Sequence, residues 1–146
     1  MNISGTVGTI LNQKGHQVFS IPPGATVFEA IQLMAEKNVG ALLVTSDDKL
    51  VGVISERDYT RKVALKGKSS RETKVSEIIS GPIVSVTCDH SLEECMRLMT
   101  TNRVRHLPVL DGDRLVGIVS IGDLVNWTIS AQDAAIEQLK SYIAGL

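Results

Sequence analysis

Aromatic side chains are scarce in this 146-residue sequence: two Phe, two Tyr and one Trp make up 3% of it. Single-stranded nucleic acid is held largely by stacking on such rings, so that class of ligand finds little support. Positive charge is not in excess either. Fifteen basic and 16 acidic residues leave a net charge of −1, whereas phosphate-backbone binding draws on a basic surplus. No apolar run approaches the ~20 residues that cross a bilayer. The opening stretch, MNISGTVGTILNQKG, holds neither a continuous apolar segment nor an Arg-rich amphipathic run, so neither a signal nor a transit peptide is expected. Cysteine is nearly missing. Cys88 and Cys95 match no C-x-x-C pattern, and reduced thiols in a cytoplasmic protein are the expectation. His16, His90 and His106 share no metal-ligand spacing. G-x-G-x-x-G is absent, and Gly112 and Gly117 stand at a Walker-like separation without the Lys that a P-loop requires. No nucleophile–base–orienter set has support in the sequence, so an enzyme is not expected.

What the chain does contain is a repeat. Shifted by 65 positions, residues 18–59 align with 83–124 without a gap, and 13 of the 42 pairs are identical. The matches include Glu29/Glu94, Met34/Met99, Leu42/Leu107, Gly52/Gly117, Ser55/Ser120 and Asp58/Asp123. Such a match points to duplication of a supersecondary unit. Each copy reads strand, helix, strand, strand, helix. VFSI and IVSV are short β-rich runs. TVFEAIQLMAEKN and SLEECMRLMTTN each open with a T/S-x-x-E capping box, with Val27, Ile31, Met34 and Leu92, Met96, Met99 on one face. ALLVT and HLPVL read as buried strands; SDDK and DGDR supply turns; LVGVIS and LVGIVS return as strands. Residues 56–66 and 121–131 are expected to be helical.

GKSSRETK, 67–74, is the polar Gly/Ser-rich stretch and the expected linker between a first repeat at 6–66 and a second at 75–130. VGTIL near the start has helical spacing, weakened by Gly8. SAQDAAIEQLKSYIAGL forms an amphipathic helix over 131–146, with Ile136, Leu139 and Ile143 on one stripe. Neither unit of ~60 residues has much core of its own, so the two should pack as one body.

Both copies close on G-h-h-S-x-x-D: GVISERD and GIVSIGD. S-x-x-D is itself a capping box, which is one complete explanation of it. A strand ending in Ser at a helix start also leaves N–H groups and a positive dipole end facing a cleft. There Asp58 or Asp123 offers two acceptor oxygens, and the hydroxyl of Ser55 or Ser120 can donate or accept. The two roles can coexist.

The duplicated β-α-β-β-α order with this closing motif resembles the CBS domain, and the pair resembles a Bateman module over roughly residues 6–130. SERDYTRKV and NRVRHLPVLDG are similar to stretches of small stand-alone CBS-pair proteins. The resemblance implies an α/β (α+β) fold with clefts between the repeats that bind adenosine-containing ligands such as AMP, ADP, ATP, NAD or S-adenosylmethionine. It also implies a homodimer acting on a separate, unidentified protein, with no nucleic acid or membrane partner. Asp58 and Asp123 take the ribose-binding role, with Ser55 and Ser120 beside them. Arg105, His106 and Arg57 resemble the phosphate-facing basics, Arg103 less so, the other reading being a solvated basic edge. Their first-repeat counterparts Gly40 and Ala41 carry no charge, so unequal clefts are expected. Arg61 and Lys62 read as solvated helix residues. The rival reading is a structural interaction module with vestigial clefts.

Overall fold

Four S/T-x-x-E/D boxes start four helices, and in each the cap closes. Thr26 Oγ1 accepts from Glu29 N at 3.1 Å, Ser91 Oγ from Glu94 N at 3.1 Å, Ser55 Oγ from Asp58 N at 3.3 Å and Ser120 Oγ from Asp123 N at 3.1 Å. In the computed structural model, which describes residues 5–79 and 82–144, the elements follow in this order. First come α1 (Val7–Lys14), β1 (Ser20–Ile21), α2 (Val27–Lys37), β2 (Ala41–Ser46), β3 (Lys49–Ser55) and α3 (Glu56–Tyr59). A π-helical turn, Thr60–Ala64, extends α3. Then come α4 (Val75–Ile78), α5 (Leu92–Asn102), β4 (His106–Asp111), β5 (Arg114–Ser120) and α6 (Ile121–Ala144).

Two antiparallel hairpins carry the duplication. β2 pairs with β3 so that Ala41 faces Ser55 and Val44 faces Gly52, with a register shift after Val44. β4 pairs with β5 so that His106 faces Ser120 and Val109 faces Gly117, with the same shift after Val109. The turns fit their residues: Asp47 and Asp48 lie at φ 51° and 61°, and Gly112 at 62°. The expected strands VFSI and IVSV are nearly lost. Only Ser20–Ile21 pairs, parallel to β2, and of 83–86 only Val86 bridges, to Val109. The buried helix stripes are Val27, Ala30, Met34 and Leu92, Cys95, Met99, so Ile31 and Met96 pack at the core edge instead.

Each repeat borrows a helix from outside its own run of sequence. Val7, Ile10 and Leu11 of α1 join Leu92, Leu107, Val119 and Leu124 in the core of the second repeat. Val75 and Ile78 of α4 join Val27, Met34, Leu42 and Ile54 in the core of the first. The exchange puts the glycines of the repeat to use: a Cβ on Gly117 would stand 2.8 Å from Leu11 Cδ2, and one on Gly52 would stand 3.0 Å from Ile79 Cδ1.

The polar stretch 67–74 is packed rather than free. Thr73 O accepts from Val27 N at 2.8 Å and Ser70 O from Phe28 N at 2.9 Å, satisfying first-turn amides of α2, and Thr73 is buried. At the far end the helix expected over 121–131 and the amphipathic one expected over 131–146 run together as one continuous 24-residue α6, Ile121–Ala144, with 145–146 outside the described residues. No helix among the described residues is long and apolar enough to cross a membrane.

Candidate functional site

Asp58 stands at the edge of a cavity of about 860 Å³ between the repeats. Its position follows from the cap: Ser55 N and Ser55 Oγ both donate to Oδ2, at 2.9 and 3.1 Å. Oδ1 faces Lys62 Nζ at 3.4 Å, one helical turn on, and the same ammonium donates to Ile78 O at 2.8 Å. The first repeat also supplies Ser55, Arg57 and Arg61 to the lining; the second supplies Arg103, Arg105 and His106. Asp58 therefore shares one cavity with the basic residues of the other repeat, although 47 positions separate Asp58 from Arg105.

The charge of this cavity departs from that of the chain. Arg57, Arg61, Lys62, Arg103 and Arg105 line it against only Glu56 and Asp58. A protein of net charge −1 has gathered a third of its 15 basic residues at one cleft, where low-dielectric walls focus their field. Arg61 and Lys62, read from the sequence as solvated, both line it. The remaining wall is apolar, from Val51, Val53, Ile79, Ile83 and Val104. Anion attraction, a carboxylate acceptor and an apolar wall are thus available together.

Two backbone features shape the rim. Thr60–Ala64 forms a π turn in which Leu65 N donates to Thr60 O at 3.0 Å, a widening often found at functional sites. Arg103 caps α5 in the left-handed region at φ 55°, the position that Asn38 occupies in the first repeat. Asn tolerates that conformation well and Arg does not, so the strain falls on a cavity-lining cation.

The second carboxylate is arranged differently. Asp123 Oδ2 accepts from Ser120 N at 2.8 Å and is held by Lys14 Nζ at 2.7 Å. Lys14 Nζ also donates to Ile118 O at 2.9 Å. Asp123 and Ser120 lie outside the Asp58 cavity. His106 lines the Asp58 cavity and faces Ser120 across the β4–β5 pair; burial holds its pKa below the ordinary imidazole value, Asp123 acts against that shift, and Lys14 and Arg105 add to it. Lys14 had no signal in the sequence, because the groups it touches lie 104 and 109 positions away.

Residues 8–65 and 75–130 match the CBS domain. The chain is similar to the mitochondrial CBS domain-containing protein CBSX3 of Arabidopsis thaliana, with 39% identity over 125 residues that span 82% of this chain and 61% of the relative. Among solved structures it resembles a CBS-domain protein of Burkholderia ambifaria described as a candidate signal-transduction protein. That likeness is 48% identity and a TM-score of 0.84, over 87% of this chain and 96% of the other. A hexameric CBS-CP12 protein from bloom-forming cyanobacteria is 28% identical with a TM-score of 0.76, over 96% and 83%. The chain belongs to the CBS-domain family as a tandem pair with an α+β fold.

Proposed function

Starting from a tandem CBS pair, we propose that the protein is a regulatory sensor. It binds an adenine nucleotide (AMP, ADP, ATP or NAD) in the Asp58 cavity and acts, as a homodimer, on a separate partner protein. The observation that carries this reading is the concentration of five basic residues around Asp58 in a chain whose net charge is −1. Asp58 accepts from the ribose hydroxyls, with Lys62 swinging aside toward the phosphates. Ser55 keeps the carboxylate oriented. Arg105, His106 and Arg57 take the phosphate, because charge-assisted hydrogen bonds are roughly twice as strong as neutral ones. The apolar wall takes the base. The ligand regulates by its differential affinity for two shapes of the pair, and no turnover is required. The description of the Burkholderia relative as a candidate signal-transduction protein, and the hexameric assembly of CBS-CP12, agree with this role.

The rival, an interaction module with vestigial clefts, draws on one observation: each Asp already faces a lysine. Calorimetric titration with AMP, ADP, ATP, NAD, S-adenosylmethionine and GMP separates the two. Adenine ligands are expected to saturate, and a ligand at 100 times its Kd raises stability by about 2.7 kcal/mol. GMP binding as tightly as AMP, or no binding at millimolar concentration, would overturn the sensor.

A further inference from the structure

The two borrowed helices correspond, and then they diverge. Val7, Ile10 and Leu11 of α1 play the parts of Val75, Ile78 and Ile79, as the contacts of Leu11 with Gly117 and Ile79 with Gly52 show. The residues before them form matching bridges, Thr6 to Ser91 and Lys74 to Thr26. This correspondence runs at 68 positions rather than 65, so the partner of Lys14 is Pro82. α4 stops after four residues, and Pro82 lines the open cavity beside Asp58. α1 runs on for eight residues, and its last turn delivers Lys14 Nζ to Asp123.

Lys14 also donates to Ile118 O, and the counterpart of Ile118 in the first repeat, Val53, lines the open cavity. The ammonium therefore stands on the second repeat's copy of the surface that the first repeat leaves free. We infer that Lys14 is an internal occupant of the second cleft, a tethered cation in the place of ligand hydroxyls at Asp123, so that the chain binds one nucleotide rather than two. One extra helical turn thereby decides which of the two duplicated carboxylates is closed by a cation from outside its repeat, at 2.7 Å, while Asp58 faces only its own Lys62, at 3.4 Å. The inference rests on the reading of Asp58 as a nucleotide site.

The occupant is removable. Lys14 is 32% exposed and its ion pair is of the modest kind found near surfaces, so a ligand competes with it at reduced apparent affinity.

AMP calorimetry on the wild type, Lys14→Met, Asp58→Asn and the double variant tests this. The expected stoichiometry is one site for wild type, two for Lys14→Met and one for Lys14→Met/Asp58→Asn, with AMP gaining on the order of tenfold or more at Asp123. Lys14→Arg keeps a single site. Lys14→Gln repeats the experiment should the Met variant lose its fold, which Trp127 fluorescence reports from the same core. A double variant that binds no AMP overturns the inference, whatever the wild type does. Whether the wild type binds at all decides the nucleotide reading separately. AMP bound by the double variant but not by wild type would uphold Lys14 as the occupant and remove Asp58 as a site.

Discussion

His106 lines the Asp58 cavity and feels the charges of Asp123 and Lys14, so its titration should report on both carboxylate sites. Burial lowers its pKa, so the unfolded chain takes up the proton at a higher pH than the folded one. Below about pH 6.5 the unfolded state therefore binds more protons, and stability falls as the solution is acidified; above that window this contribution is flat. Thermal unfolding followed from pH 7.5 to 5 should show a steeper acid loss for wild type than for His106→Asn, and parallel curves would contradict the assignment. Lys14→Met should raise the His106 titration seen by NMR, since Lys14 opposes its protonation. Arg103 offers a second test. Replacing this left-handed cap by Asn should stabilise the fold by up to about 1 kcal/mol and, if the cavity takes a phosphate, weaken AMP more than adenosine, because the strain and one of the cavity's cations reside in the same side chain. Equal effects on both ligands would make Arg103 a bystander. Much of the first cleft was legible in the sequence. Writing S-x-x-D twice marked Asp58 and Asp123, and the charge difference between Gly40–Ala41 and Arg105–His106 marked the basic side. Lys62 was not legible: four residues after Asp58 on a helix, it reads as solvated until the turn is seen to face the cavity.

At the scale of elements, the exchange of α1 and α4 binds the halves into one folding unit. Gly117→Ala would press a methyl into Leu11, which is fully buried, and overpacking of this kind costs about 1–3 kcal/mol. Leu11→Ala alone costs about 2–5 kcal/mol through its cavity. Urea unfolding of the double variant should show less than the sum of the two, since each change relieves the other. Strict additivity would mean that α1 does not sit against β5 in solution. The four capped helices and the two hairpins were readable because capping and turn residues are local signals, and the cap hydrogen bond forms at all four starts. The exchange was not readable. Helical spacing of Val7, Ile10 and Leu11 states that one face is buried, never which repeat buries it. VFSI and IVSV misled for a related reason: β-rich composition marks a fit to a sheet, but here only Ser20, Ile21 and Val86 reach a partner.

For the whole molecule, α6 is the part that its own chain leaves uncovered. Leu124 is buried and Trp127 packs on the second core, but from Ile129 to Ser141, and again at Ile143 and Ala144, the helix runs exposed. An unsupported helix of that length is marginal in water. Its sequence supplies a remedy. Val125, Ile129, Ile136, Leu139 and Ile143, all 48–61% exposed, alternate at spacings that fit a heptad, with Ile at 129, 136 and 143 as one seam and Val125 and Leu139 as the other. Gln132 stands between Val125 and Leu139 on the second seam, so one polar position interrupts an otherwise apolar stripe, and a two-fold axis is the commonest way to pair two such stripes. A second copy of this chain is thus the expected cover, consistent with the proposed homodimer. Light scattering at tens of micromolar protein should give about twice 15.7 kDa. Ile136→Asp, at a position half-exposed in the single chain, should halve that mass without lowering the stability of the two cores, and truncation after Ser130 should do the same. A wild-type mass of one chain would sink the homodimer outright. A dimer that survives both changes would move the interface from α6 to the faces of the repeats.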